Sequence, residues 1–144
     1  MAPSLRDPAA ALRGNQIICI ALILGQVMFG LVIAFVHSWG EWNAAPDPEL
    51  AGIIRIVGVA FGMVSVPAAV FLRRTVWRKG RDLFDDTVLQ SYFAGNLAFF
   101  AILEGAGLLN LTFWLITAEP IPYVVVTAVL IVFGLVNLPR QPTA

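Results

Sequence analysis

Phe99-Phe100-Ala101-Ile102-Leu103-Glu104-Gly105-Ala106-Gly107-Leu108-Leu109 sets a carboxylate in the middle of an apolar run, with no other charge between Asp86 and Glu119. A helix rises about 1.5 Å per residue and a bilayer's hydrocarbon core is about 30 Å thick. A span entering near Tyr92 and leaving near Ile116 therefore puts Glu104 close to the midplane. An ionisable group at that depth costs at least about 2.5 kcal/mol on insertion scales, and such groups face a partner, a cavity or an ion path.

The rest of the chain is consistent with a membrane span here. Of 144 residues, 59% are hydrophobic and 12% charged, and the mean hydropathy is +0.84, far more apolar than a soluble domain. Four spans are expected, at about residues 15–36, 51–72, 89–116 and 122–138. Residues 1–14 read as a polar arm. The run after Asn15 is too long for most signal-peptide cores and is expected to be retained. Trp39, Trp42, Pro46 and Pro48 mark the first loop as interfacial. Pro122 suits the first turn of a helix, where its missing N–H costs nothing. The fold class is an all-α, four-helix integral membrane bundle.

Basic residues fix the expected orientation. Arg6, Arg13, Arg140 and the cluster Arg73, Arg74, Arg78, Lys79 and Arg81 all fall on one side of a four-span protein. Residues 37–50 and 117–121 contain no Lys or Arg. Both termini and the loop 73–88 should be cytoplasmic, in the cell's inner membrane. The cluster suits anionic headgroups, and the loop 73–88 is open to a cytoplasmic partner; a nucleic-acid partner is not expected. Arg55 is about one turn from the first loop, so it can snorkel toward Asp47, Glu49 or Glu119, or pair with the deeper Glu104.

Gly58 and Gly62 share a helix face with Ser65 and Ala69, and Gly105 and Gly107 flank Glu104. Both sets read as close helix-packing positions. Cys19 and His37, the single residues of their types, build no metal site, and no cofactor is expected. No nucleophile or second acid accompanies Glu104, so the chain does not read as an enzyme.

The first span lies on the third at a constant offset that matches Ala21 with Ala101, Gly25 with Gly105 and Leu31 with Leu111, and sets Leu24 opposite Glu104. The halves read as two duplicated helical hairpins. The stretch Ala21-Leu22-Ile23-Leu24-Gly25-Gln26-Val27-Met28-Phe29-Gly30-Leu31-Val32-Ile33-Ala34-Phe35 resembles the carboxylate-bearing outer helix of the proteolipid subunits that form rotor rings in rotary ATPases. In that resemblance Leu24 takes the carboxylate position of the first copy and Glu104 that of the second. The resemblance covers the two odd-numbered helices. It implies a homo-oligomer, as a ring, with Glu104 binding a proton or cation and Gln26 at the position associated with sodium ligation.

From the residues alone, Gln26 is also the expected hydrogen-bond donor or oxygen ligand to Glu104, with Asn110 and Ser65 less well placed. So few oxygens favour a proton over sodium. Two other readings stay open. Glu104 can make interhelical hydrogen bonds only, in an accessory subunit of a membrane complex. Alternatively, it can bind a cationic substrate in a small four-helix transporter.

Overall fold

The computed structural model describes residues 8–40, 46–81 and 86–139, and among them there are four α-helices and no strand. Helix α1 (Pro8–Ser38) starts earlier than the expected span. Proline is tolerated in a first turn, and Ala9-Ala10-Ala11-Leu12 are strong helix formers, so the expected polar arm is helical from Pro8 onward. The helix closes with the Ser38 hydroxyl donating to the Phe35 carbonyl at 2.7 Å. Gly40 follows at φ +73°, a conformation that side chains disfavour.

Helix α2 (Pro48–Arg81) is capped by Asp47, whose carboxylate accepts the Glu49 N–H at 3.1 Å. It continues through Pro67 and through the basic cluster, where the sequence offers no breaker until Gly80. Helix α3 (Asp86–Thr117) ends where the Thr117 hydroxyl bonds the Phe113 carbonyl at 2.8 Å and Ala118 turns to φ +56°.

Helix α4 (Tyr123–Val136) has only 14 residues, about 21 Å at the ordinary rise. It is shorter than the expected 122–138 because Asn137 caps it and Pro139 disfavours helix at the residue before it. The other three helices are long and apolar enough to cross a membrane.

Side-chain neighbours fix the topology. Gly25 lies beside Glu104 and Gly30 beside Leu111, so α1 and α3, the helices of the expected repeat, run parallel. Gly58 faces Phe113 while Gly95 faces Arg73, making α2 antiparallel to α3. Thr127 meets Gly107 and Gly134 meets Phe100, so α4 is also antiparallel to α3. Helix α3 is the hub, packing on all three others, and α1 does not pack on α2 among the described residues.

All four helices feed one core of Cys19, Ile23, Ala69, Phe99, Phe100, Leu103, Ala106 and Leu130. Outside it, Ile20, Leu24, Met28 and Leu31 of α1, Ile56, Met63 and Phe71 of α2, and Val129 and Val132 of α4 are exposed. Water does not tolerate so continuous an apolar surface on a monomer, whereas lipid does.

At the end opposite the basic residues, Arg55 pairs with Glu119, one of the three surface carboxylates within its expected reach, and not with Glu104. The two side chains are 48% and 50% exposed, so the pair is worth roughly 0.2–1 kcal/mol. Glu119→Gln is accordingly expected to shift unfolding in detergent by no more than about 1 kcal/mol, read by circular dichroism.

Candidate functional site

Glu104 projects from α3 toward α1, where Gly25 makes room for it: a Cβ at Gly25 would lie 3.6 Å from the Glu104 Oε1. The side chain is half-buried and, among the described residues, makes no hydrogen bond or ion pair. Its surroundings are small. Ala21 and Gly25 on α1 and Ala101 and Gly105 on α3 are all exposed, and nothing lies within 4 Å of a Cβ placed at Gly105. The carboxyl thus opens onto a shallow outer face that a further helix can approach closely.

Gln26 does not join it. Its carboxamide is buried over the α-carbon of Gly107, where any Cβ would collide with it. No hydrogen bond links it to Glu104, and its Oε1 has no donor. Successive helix positions are about 100° apart, so the residue that faces Glu104 is Gly25, and Gln26 turns inward.

Gly107 is the junction of three helices. Its missing side chain admits Gln26 from α1, and its carbonyl accepts the Thr127 hydroxyl from α4 at 3.3 Å. One turn further along α3, the buried Asn110 donates to the Gly58 carbonyl at 3.2 Å and the Ala106 carbonyl at 2.9 Å. Its Oδ1 and the hydroxyl of the fully buried Tyr123 are without partners. Gly58 and Gly62 lie in a tight seam. A Cβ at Gly58 would sit 2.9 Å from Phe113 and 3.2 Å from Tyr123, and one at Gly62 would collide with Val126. Ser65 is buried and satisfied by the Gly62 carbonyl at 2.7 Å.

Sequence reasoning assigned Asn110 only a minor part and gave none to Thr127 or Tyr123. Their signal was available: a polar side chain in a lipid-embedded helix turns inward to a partner helix. Two orphaned carbonyl oxygens, Gln26 Oε1 and Asn110 Oδ1, leave the middle of the bundle rich in acceptors.

Arg73 and Arg74 lie near the far end of α2, the first half-buried and the second exposed. Arg78, Lys79 and Arg81 continue that helix, but their side chains lie outside the described ones. No protein-family model matches the chain, and neither a characterised protein nor a solved structure is significantly similar to it.

Proposed function

We propose that this chain is a proteolipid-like membrane subunit that self-associates, as a ring, through the α1/α3 face, and that Glu104 binds a proton or a cation there. One observation carries this reading. Glu104 stands at mid-span, half-exposed, without a partner among the described residues, on a face kept low by Ala21, Gly25, Ala101 and Gly105. Leaving such a carboxyl to lipid costs at least about 2.5 kcal/mol, and a second copy can shelter it. Few oxygen ligands approach Glu104, which favours a proton over sodium. Arg13, Arg73 and Arg74 lie at one end of the bundle, so that end, with the termini, faces the cytoplasm.

A second reading shares the geometry: the carboxyl makes hydrogen bonds between protomers and carries nothing. Labelling of the purified protein with dicyclohexylcarbodiimide, which attacks protonated carboxyls in apolar surroundings, separates the two. Carriage is expected to give an adduct on Glu104 that declines as pH rises and is absent from Glu104→Gln. Sodium protection would identify the cation. No adduct at any pH would mean a sealed acid and overturn carriage.

A further inference from the structure

At the basic end of the bundle, too, buried polar groups lack partners among the described residues. The Arg73 guanidinium carbon lies over the Phe99 ring, 5.1 Å from its centre, and among the described residues the group makes one long hydrogen bond, 3.5 Å, to the Asn137 carbonyl. A guanidinium carries five N–H donors, and no carboxylate lies within ion-pair distance of this one among the described residues. The neighbouring buried polar groups are under-satisfied as well. Asn96 follows Gly95, whose backbone abuts that of Arg73, and its amide has no partner at either atom. On α1, the Nδ2 of Asn15 is likewise orphaned while its Oδ1 accepts from Cys19.

Arg73 lies where the apolar length of α2 gives out, with exposed Arg74 beside it. In a bilayer that is headgroup depth. We propose that Arg73 forms a discrete binding site for a phosphate group, that of an anionic phospholipid, rather than adding to a diffuse basic surface. Phe99 and the Asn137 carbonyl engage one part of the guanidinium, and the N–H donors left over match two phosphate oxygens side by side. A point charge at the same place lacks that fork. The site is independent of whatever Glu104 binds.

The test titrates the full chain in nonionic detergent with short-chain phosphatidylglycerol, read by native mass spectrometry, with phosphatidylcholine as the neutral control. Arg73→Gln is expected to weaken phosphatidylglycerol binding about tenfold and Arg74→Gln by less than about twofold. Inorganic phosphate in excess is expected not to displace the lipid. Displacement would keep the anion site and reassign its ligand to the free ion, overturning the lipid assignment. Equal losses in both variants, or none, would overturn the site. If Arg73→Gln does not yield monodisperse helical protein, Arg73→Lys decides: a several-fold loss supports the fork, and unchanged affinity refutes it.

Discussion

Gly62→Ala is expected to lose about 1–3 kcal/mol of stability and to regain most of it when Val126→Ala is added. Glycine to alanine inside a helix ordinarily gains about 0.5–1 kcal/mol, so the sign here depends on the neighbour. At Gly62 the new Cβ collides with a Val126 methyl. A β-branched side chain in a helix has one strongly preferred rotamer and cannot swing aside as a longer chain would. The α2/α4 seam must therefore open, and with it the adjacent seat of Asn110, whose Nδ2 lies 3.6 Å away. Gly105→Ala is the control, because open space surrounds it and it should be neutral or stabilising. Unfolding in detergent, followed by circular dichroism for both singles and the double, measures the coupling. Additive losses at 62 and 126 would show that the two helices do not meet as described.

Gly105→Trp is expected to leave the protomer folded and to abolish the proposed self-association. Among the described residues nothing lies within 4 Å of a Cβ at this position, so the indole has room. Between protomers it would stand on the face where Ala101, Gly25 and Ala21 allow close approach. An aromatic side chain of about 150–250 Å² there holds neighbouring helices apart. Van der Waals contact between small-residue faces is the main attraction available in lipid, and it fades over a gap of about 1 Å. The opposite result at the same kind of residue, Gly62, would come from damage inside the protomer, so the two glycines separate folding from assembly.

Much of this was legible in the sequence, for reasons that can be named. Helix class and number follow from the long apolar runs and their polar breaks. The Gly58 and Gly62 seam follows from small residues one turn apart. The Arg55 partner follows from a long side chain one turn below an acidic loop, and the structure selects Glu119 from the three in reach. Helix ends were less legible: α1 begins at Pro8 and α2 continues to Arg81 because alanine, arginine and lysine extend a helix past the hydrocarbon as readily as within it.

The site was half legible. Glu104 announces itself as the lone charge of its span. Its neighbourhood depends on helix rotation, which apolar composition does not reveal when nearly every face is apolar. That is why depth alone pointed to Gln26, whereas the structure sets Gly25 against Glu104 and turns Gln26 onto Gly107. The inward turn of Asn96, Asn110 and Tyr123 belongs to the same class of information.

The proposed self-association sets the Glu104 face against another copy of the chain. Native mass spectrometry of the protein released from lipid nanodiscs, wild type beside Gly105→Trp, tests it most directly. More than one copy per particle is expected for the wild type and a single copy for Gly105→Trp. A single copy for the wild type, or an assembly indifferent to the tryptophan, would mean that Glu104 faces lipid or that the copies meet elsewhere.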